Sequence, residues 1–289
     1  MNNEINRLKE LLETYIAGAL PLEGADGSRT LFEAMRYTLD APGKRVRPIL
    51  LLLACKAVNG NENEALPYAC AIEFIHNYSL IHDDLPAMDN DDMRRGKLTN
   101  HKVFGEAIAI LAGDGLLSAA FELMHRDYIE YINDNEALQR RLFAGAIITE
   151  GCGCYGMVAG QTADIEAEGN PVNAELLDYI HRNKTAALIR SAVTAGAYLG
   201  GANVSSVRAF TKYGENLGLA FQITDDIIDF GSEQGKASYP SIHGLGVSCL
   251  RLEELTDKAI SALNSVENAN ENYIEILKDM AIELAKRVV

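Results

Sequence analysis

The chain has 289 residues, and its 26 Lys and Arg against 41 Asp and Glu give a formal net charge of −15. Hydrophobic residues make up 48 % and charged residues 23 %, a globular composition that argues against disorder. The negative balance disfavours nucleic acid as a partner, because affinity for polyphosphates comes mostly from Lys and Arg. It does not disfavour a metal, since hard cations prefer carboxylates.

Cysteine usage and hydropathy predict a cytoplasmic protein. The five cysteines are scattered and form no disulfide framework, which favours a reducing compartment. The longest aliphatic run, residues 49–55, is far shorter than the roughly 20 residues that span a bilayer, so no membrane span is predicted. The first residues, MNNEINRLKELLE, lack the pattern of a signal peptide.

Apolar residues recur at helical spacing along most of the chain, whereas strand-like alternation is scarce. Residues 68–85 are apolar on most faces, which is typical of a helix buried by its neighbours. Asn173 is a predicted helix cap, and Ser205 and Ser206 are possible caps of a later helix. The glycine-rich stretch 151–160 fits a loop or a closely packed helix, and its continuing apolar run favours the helix. The pattern predicts one all-α domain over residues 1–289.

The first acidic cluster follows the predicted buried helix directly. It contains five aspartates within ten residues, from Asp83 to Asp92. Carboxylates at the mouth of a buried helix repel one another, which favours a bound cation over a solvated acidic surface. Because Pro86 breaks the helix, Asp89 need not follow the helical rotation that would turn it away from Asp83.

The second acidic cluster is Asp225-Asp226-Ile227-Ile228-Asp229. Asp225 and Asp229 are four residues apart, so a helix would place them on one face, where like charges are unfavourable without a cation. Two such clusters, each on a buried helix, predict a metal site formed by facing helices of a bundle.

Basic residues form two local groups in this acidic chain. Residues 43–48 (GKRVRP) and 93–97 (MRRGK) each carry three cations. Guanidinium groups suit bidentate contacts with phosphate oxygens, and carboxylate-bound Mg²⁺ with Arg and Lys is a usual clamp for a diphosphate. We therefore expect Lys44, Arg47, Arg94 and Arg95 to contact a ligand, and Lys97 to be an ordinary surface charge.

These residues together resemble the short-chain trans-prenyl diphosphate synthases, bacterial farnesyl diphosphate synthases most closely. The resemblance covers roughly residues 1–260, and the paired Asp-rich motifs with Arg-Arg-Gly after the first are its most specific part. The matching stretches are residues 43–48, 74–96, 104–114, 160–169, 180–189 and 218–230.

The resemblance implies an all-α, isoprenoid-synthase-type helical bundle around an apolar cavity, a homodimer, and Mg²⁺, roughly three ions per active site. It implies ionisation of an allylic diphosphate, attack by isopentenyl diphosphate on the carbocation, and loss of a proton. The metal ligands would be Asp83, Asp84, Asp89, Asp225 and Asp229. The allylic diphosphate would contact Arg94, and the isopentenyl diphosphate would contact Lys44, Arg47, His76 and Arg95. The developing cation would lie beside Lys184, Thr185 and Gln222.

Product length is predicted from the helix that precedes Asp83. Tyr78 lies five residues upstream, about 7 Å along the helix axis, and its ring is a candidate floor for the growing chain, with the small Ser79 beside it. An aromatic residue at this position is associated, in the family, with a fifteen-carbon product. Ordinary aromatic packing in the core remains the alternative for Tyr78, and a satisfied core histidine remains the alternative for His76.

One departure from the family pattern lies after the second acidic cluster. The family usually has a longer loop here, whereas residues 229–234 run straight into Gly235-Lys236-Ala-Ser-Tyr-Pro240, so that Lys236 matches only the later of two lysines. This shortening keeps a non-catalytic, synthase-like subunit open as an alternative. A synthase of geranyl or geranylgeranyl diphosphate and a terpene cyclase are further alternatives.

Overall fold

The structure is a computed structural model, and it describes residues 2–20, 27–231 and 237–288. Over these residues the chain is almost entirely helical, and one short hairpin holds the two strands of the described part. The predicted all-α class is therefore confirmed. Because the chain separates into two compact units, each unit is described by itself.

The first unit comprises Asn2–Ile49 and Leu66–Leu138. Its main elements are the helices α1, α2, α4 and α6 and the antiparallel hairpin β1–β2. Helix α3 begins in this unit, at Val46, and α4 enters it from the second. The bounds are α1 Asn2–Ala19, α2 Arg29–Leu39, α3 Val46–Ala57, α4 Glu62–Asp83, β1 Met93–Arg94, β2 Lys97–Leu98, α5 Asn100–Phe104 and α6 Glu106–Glu130.

The second unit comprises Leu50–Ala65 and Gln139–Val289. Helix α11 is its centre and packs against α10 and α13. A π-helix connects α9 to α10 without a break. The bounds are α7 Asn135–Cys152, α8 Met157–Ala167, α9 Ala174–Ile180, the π-helix His181–Ala186, α10 Ala187–Leu199, α11 Val204–Asp229, α12 Tyr239–His243, α13 Leu245–Leu263, α14 Glu271–Ala285 and a 3₁₀ turn Lys286–Val288.

Helix α4 is buried along most of its length, as its sequence predicts. Tyr68, Phe74, Ile75 and Ile81 are each fully buried, and most of the positions between them are apolar. Such a helix can carry polar groups only at its end or where a partner satisfies them. Its chemistry-bearing residues are therefore confined to a few positions near Asp83.

A buried ionic network fixes the start of α3 against α4 in the first unit. Arg45 and Glu73 have side chains that are both 2 % exposed, and their Nη1 and Oε1 atoms are 2.7 Å apart. Arg45 also donates to Glu13 at 2.8 Å and to the carbonyl of Leu39 at 2.6 Å. Burial lowers the pKa of Arg45, but these acidic partners outweigh burial and raise it. The guanidinium therefore stays charged and holds the loop before α3 in place.

Close glycine contacts position the helices of the second unit. A Cβ at Gly196 of α10 would overlap the backbone carbonyl of Leu51, so α10 packs directly on the backbone of α3. A Cβ at Gly160 of α8 would likewise overlap the backbone nitrogen of Lys184. The close packing expected of the 151–160 stretch is therefore present. The prediction of a continuous helix there was wrong, because residues 153–156 form a turn between α7 and α8.

The observed helix caps agree only in part with those predicted from the sequence. Asn173 caps α9 as predicted, accepting the backbone N–H of Leu176 at 2.8 Å. The serine caps of α11 were predicted wrongly. Asn203 is the cap and accepts the N–H of Ser206, so that both serines lie within the first turn. Asn and Ser are comparable caps, and the choice here depends on where the preceding loop leaves the helix.

Two helical stretches of the described residues are long and apolar enough to cross a bilayer, Glu106–Glu130 and Asn135–Ala167. Buried helices of globular proteins pass the same test of length and composition. In each stretch, however, only 39 % of the most apolar window is buried. Their outer faces therefore expose large apolar side chains, including Ile110, Leu111 and Ile129 on α6.

Candidate active site

The first acidic cluster begins where α4 ends. Asp83 is the last helical residue, and the chain turns at Pro86 so that the backbone N–H of Asp89 donates to the carbonyl of Asp83 at 2.9 Å. Asp84 is buried, whereas Asp89 is exposed. The expectation that Pro86 frees Asp89 from the helical path is confirmed, and the turn brings the backbone of Asp89 back to that of Asp83.

The Arg-Arg-Gly motif forms a tight hairpin turn that the sequence analysis did not foresee. Arg95 and Gly96 join β1 to β2 with φ values of 52° and 76°, the left-handed conformation that a two-residue hairpin turn requires. The hairpin places Arg94 against the acidic cluster, with its Nε 2.6 Å from Oδ1 of Asp84. Burial raises the pKa of Asp84, and Arg94 opposes that effect.

The second arginine of the motif lies against the other basic segment. A Cβ built at Gly43 would be 3.1 Å from Nη1 of Arg95, so this guanidinium lies close to the backbone of Gly43. The two basic stretches predicted to contact a ligand therefore meet within the first unit. Lys44 is exposed next to this contact, and Lys97 lies on the surface near the Tyr37 ring.

His76 lies among these cations on α4. Its burial lowers the pKa of the imidazole well below the ordinary value, and Arg47, Arg95, Arg45 and Arg94 lower it further in that order. The imidazole is therefore neutral near pH 7, and its surroundings are strongly positive. A site of this kind favours an anion, which agrees with the diphosphate role expected of His76, Arg47 and Arg95.

The candidate floor residues lie on the same helix. Tyr78 is 7 % exposed, and its ring meets the His82 ring edge-on with centroids 5.7 Å apart. Ser79 donates its hydroxyl to the carbonyl of His76 at 2.9 Å. Ser79 is therefore satisfied locally, and the larger Tyr78 is the side chain of this pair that could limit a chain packed along α4.

In the second unit, two of the three residues expected beside the developing cation, Lys184 and Thr185, lie on the π-helix, and the third, Gln222, lies on α11. Lys184 Nζ is 2.5 Å from Oδ2 of Asp164 on α8, and Thr185 Oγ1 donates to Oε1 of Gln222 on α11 at 2.6 Å. Short π-helices occur often at functional sites, because the extra residue per turn redirects side chains. Here the close approach at Gly160 brings α8 and Asp164 within reach of Lys184.

A cavity of about 610 Å³ opens onto these residues within the second unit. Its wall is polar where the π-helix faces α11 and apolar near α9. The polar lining includes Asp164, His181, Lys184, Thr185, Gln222, Asp226 and Asp229. It is therefore a pocket in which an ammonium, a hydroxyl and carboxylates converge.

Asp226 is the most fully bonded carboxylate of this pocket. It accepts the N–H of Tyr239 at 2.6 Å and an Nε2 hydrogen of Gln222 at 2.9 Å, and His181 Nε2 is 3.3 Å from it. Burial raises the pKa of Asp226, but the bonds from His181, Tyr239 and Gln222 outweigh burial and lower it. Asp226 is therefore ionised.

Asp225 and Asp229 lie one turn apart on α11, as their spacing predicts. Arg287, near the C-terminus, places Nη1 3.0 Å from Oδ1 of Asp225, and its guanidinium lies 5.9 Å from the centroid of the Phe221 ring. Burial raises the pKa of Asp225, Arg287 lowers it, and Asp229 and Asp226 raise it, with a net increase. Asp225 thus favours a nearby positive charge.

The carboxylates fit Mg²⁺ only as partial ligand sets. Among the described residues, no three His, Cys, Asp or Glu side chains converge on a common point as a closed metal site. Mg²⁺ is commonly held by one or two carboxylates, with waters and substrate phosphates as its other ligands. Asp83 with Asp84, and Asp225 with Asp229, supply the required hard oxygen donors.

Several residues of the site were not predicted from the sequence. Asp164 lies in a stretch that matched the family, but no role was assigned to it. His181, Asp226 and Arg287 also escaped assignment, because their partners are distant in sequence. The remaining predicted residue, Lys236, lies outside the described residues, as does most of the shortened loop.

Comparisons with known proteins agree with the site. The Polyprenyl synthetase family matches residues 28–278. A farnesyl diphosphate synthase of Geobacillus stearothermophilus is 47 % identical over 254 residues, which cover 83 % of this chain and 84 % of that protein. A geranylgeranyl diphosphate synthase of Cyanophora paradoxa is 41 % identical over 266 residues, covering 87 % and 86 %. The crystal structure of an FPP/GFPP synthase from Zymomonas mobilis superposes with a TM-score of 0.89 at 36 % identity, covering 98 % of each chain.

The fold and the site therefore define a helical enzyme of the isoprenoid-synthase type. The chain belongs to the polyprenyl synthetase family. The predictions of an all-α prenyl-synthase fold and of a trans-prenyltransferase are confirmed. Relatives that make products of different length are similarly close, so the family assignment does not fix the product.

Proposed function

We propose that this prenyltransferase condenses isopentenyl diphosphate with dimethylallyl or geranyl diphosphate and releases farnesyl diphosphate. The observation that supports the proposal is the positive charge of Arg47, Arg94 and Arg95 around His76, on the helix that ends in Asp83. His76 precedes Asp83 by seven residues, about 10 Å along the helix. A diphosphate site and a carboxylate site are thus adjacent within the first unit.

The isopentenyl diphosphate would bind to Lys44, Arg47, His76 and Arg95. The fixed Arg45–Glu73 pair supports this role, because it holds the loop that carries Lys44 and the start of α3. Neutral His76 can donate one hydrogen bond without adding charge, while the guanidinium groups supply bidentate contacts. A terpene cyclase does not need this second substrate site.

In the first unit, Asp83, Asp84 and Asp89 would hold Mg²⁺ for the allylic diphosphate, with Arg94 as a further contact. In the second unit, Asp225 and Asp229 would hold Mg²⁺. Bound Mg²⁺ would neutralise the charge that develops on the leaving diphosphate. Arg94 now pairs with Asp84, and Arg287 pairs with Asp225. Arg94 would turn from Asp84 to a phosphate oxygen, whereas Arg287 would give way to Mg²⁺ at Asp225.

Lys184, Thr185 and Gln222 would lie beside the allylic cation, and the oxygens of Thr185 and Gln222 would stabilise it. The oxygens of Thr185 and Gln222 present partial negative charge without a strong nucleophile, and the Lys184 ammonium, balanced by Asp164, would reach the diphosphate. Intact aspartates in both clusters and this complete set support catalysis over a non-catalytic subunit. Lys236 is proposed as a further diphosphate contact from the family pattern alone.

The exposed apolar faces of α6 and α7 support a homodimer. The substantially exposed apolar side chains are Ile110, Leu111 and Ile129 on α6 and Leu142 and Phe143 on α7. A second copy of the chain would cover such faces and remove them from water. Light scattering that gives the mass of a single chain at micromolar concentration would contradict the dimer. The five free cysteines support a reducing, cytoplasmic location.

A product-length panel tests the function. The purified protein is incubated with Mg²⁺, labelled isopentenyl diphosphate and, in turn, dimethylallyl, geranyl and farnesyl diphosphates. The products are then dephosphorylated and separated by chain length. We expect a fifteen-carbon alcohol from the first two substrates and little extension of the third. A twenty-carbon product would favour the geranylgeranyl alternative, and no product without a partner protein would favour the non-catalytic subunit.

We expect Tyr78→Ala to lengthen the product. Removing the ring opens space along α4 beyond the proposed floor, so that products of twenty or more carbons should replace the fifteen-carbon product in the same panel. Tyr68→Phe, which keeps a ring deeper in the same helix, is the matched control and should leave the product unchanged. Fifteen-carbon output from Tyr78→Ala would show that Tyr78 is ordinary core packing.

We expect Arg287→Gln to lower the Mg²⁺ concentration that gives half-maximal activity. Arg287 competes with the metal for Asp225, and a partly exposed pair of this kind is worth about 0.2–1 kcal/mol, or roughly 1.4- to 5-fold in affinity. A Mg²⁺ titration of the initial rate measures the effect, with Lys286→Gln as the control. A higher Mg²⁺ requirement in Arg287→Gln would instead make Arg287 a substrate contact.

A further inference from the structure

We propose that Asp226 is a positioning residue, and that it fixes the direction of the hydrogen bond between Thr185 and Gln222. In this assignment Asp226 is not a magnesium ligand, although it lies inside the second acidic cluster. The inference rests on the proposed function, because it concerns how the cation-stabilising pair is held.

The contacts of Asp226 set it apart from its neighbours. Oδ2 accepts the backbone N–H of Tyr239 at 2.6 Å and lies 3.3 Å from Nε2 of His181, and Oδ1 accepts from Nε2 of Gln222 at 2.9 Å. Both carboxylate oxygens are therefore used by groups of the protein. A metal at Oδ2 of Asp226 would compete with the backbone N–H of Tyr239, and a metal at Oδ1 would compete with Gln222, whereas a metal at Asp225 would displace the partly exposed head of Arg287.

The contact with Asp226 orients the side chain of Gln222. Oδ1 of Asp226 accepts from Nε2 of Gln222 at 2.9 Å, so the amide NH₂ of Gln222 faces the carboxylate. The carbonyl Oε1 of Gln222 then faces Thr185, which lies 2.6 Å away. Because a carbonyl can only accept, the Thr185 hydroxyl must be the donor of this bond.

The direction of this chain matters for the proposed chemistry. With its hydrogen committed to Gln222, Thr185 presents only oxygen lone pairs to the rest of the cavity that both residues line. Lone pairs stabilise a developing carbocation, whereas an outward O–H dipole would oppose it. Asp226 thus sets the direction of the Thr185 hydroxyl dipole, two hydrogen bonds away along the chain Asp226–Gln222–Thr185.

The other partners of Asp226 hold the carboxylate in place. The His181 ring is stacked on the Tyr239 ring, with centroids 6.4 Å apart, and Tyr239 in turn packs on His243 at 4.4 Å. His181 begins the π-helix, and Tyr239 begins α12. Asp226 therefore ties α11 to both elements, which explains why its carboxylate has one orientation.

Asp226→Asn tests the proposal, because it keeps the side-chain volume but adds a donor. Because the backbone N–H of Tyr239 can only donate, it would hold the oxygen of the introduced amide, so that the new NH₂ faces Gln222. This arrangement forces either an unfavourable contact between two NH₂ groups or a rotated Gln222 that makes Thr185 an acceptor. We expect kcat for condensation to fall tenfold or more and KM for both diphosphates to change less than twofold. Asp257→Asn, on the exposed face of α13, is the control and should behave like wild type.

Two further readouts separate positioning from metal binding and from structural damage. The rise in melting temperature caused by MgCl₂ with inorganic diphosphate should be the same in Asp226→Asn as in wild type, and smaller in Asp225→Asn. In a double-mutant cycle, Asp226→Asn should lower kcat less than threefold once Thr185→Val has removed the hydroxyl. Should Asp226→Asn not fold, Asp226→Ala removes the same acceptor and carries the same expectations.

Three results would overturn the proposal while leaving the proposed function intact. They are an active wild type with an equally active Asp226→Asn, additive losses in the double-mutant cycle, and a loss of the MgCl₂-dependent thermal shift in Asp226→Asn. An inactive wild type would instead contradict the proposed function, and the thermal-shift comparison would still report whether Asp226 binds the metal.

Discussion

Asp225→Asn is expected to lower kcat/KM for condensation by at least about 100-fold, since removing one group that stabilises transition-state charge commonly costs about 10²- to 10³-fold. The substitution keeps the size of the side chain and removes the negative charge. Burial already raises the pKa of Asp225, so this position favours a positive partner more strongly than an exposed carboxylate would. The loss should be reduced but not abolished by raising Mg²⁺.

A matched control exists on the same unit. Asp178 on α9 also pairs with an arginine, Arg182, at 2.6 Å, and both side chains are about half exposed. Asp178→Asn removes an equivalent negative charge from a residue that is not among the polar groups of the pocket. The kcat/KM of this variant should stay within about twofold of wild type. Equal losses in the two variants would show that general electrostatics, and not a metal site, accounts for the effect.

Arg45→Met is expected to produce the largest loss of stability, about 3–5 kcal/mol, because it leaves Glu73 buried without its charge partner. Glu73 is 2 % exposed and also accepts from Asn77, but an amide cannot neutralise a buried carboxylate. Urea unfolding followed by circular dichroism measures the change. Methionine fills the volume of the arginine stem, so the loss reports the charge and not a cavity.

Arg29→Met is the control for this experiment. Arg29 forms an i,i+4 pair with Glu33 on α2, and its side chain is 83 % exposed. Its removal should change the free energy of unfolding by less than about 0.5 kcal/mol. The double variant Arg45→Met/Glu73→Leu should recover part of the loss, since a buried pair replaced by apolar groups is often tolerated. Equal stability of Arg45→Met and Arg29→Met would contradict the buried network.

Local features of the site were predictable from the sequence. The end of α4 at the first acidic cluster follows from the apolar run and Pro86, and the cap of α9 follows from Asn173. The shared face of Asp225 and Asp229 follows from their spacing. In each case neighbouring residues determine the conformation, so that pattern and propensity are sufficient.

Other features depend on contacts that sequence spacing does not encode. The hairpin at Arg95 needs a left-handed conformation that arginine rarely adopts, and the space beside Gly43 that receives its guanidinium belongs to a distant segment. The π-helix at Lys184 is an insertion into a regular helical pattern, which periodicity does not register. The Arg287–Asp225 pair joins residues 62 positions apart along the chain. Tertiary packing determines the hairpin, the π-helix and the ion pair.

The most direct test of the proposed prenyl transfer is a single-turnover reaction of enzyme in excess over geranyl diphosphate, with labelled isopentenyl diphosphate and Mg²⁺, quenched with acid. The proposed function predicts that the label moves into one fifteen-carbon diphosphate, in an amount equal to the geranyl diphosphate supplied, and that EDTA abolishes the transfer. Label that remains in isopentenyl diphosphate with Mg²⁺ present would contradict it.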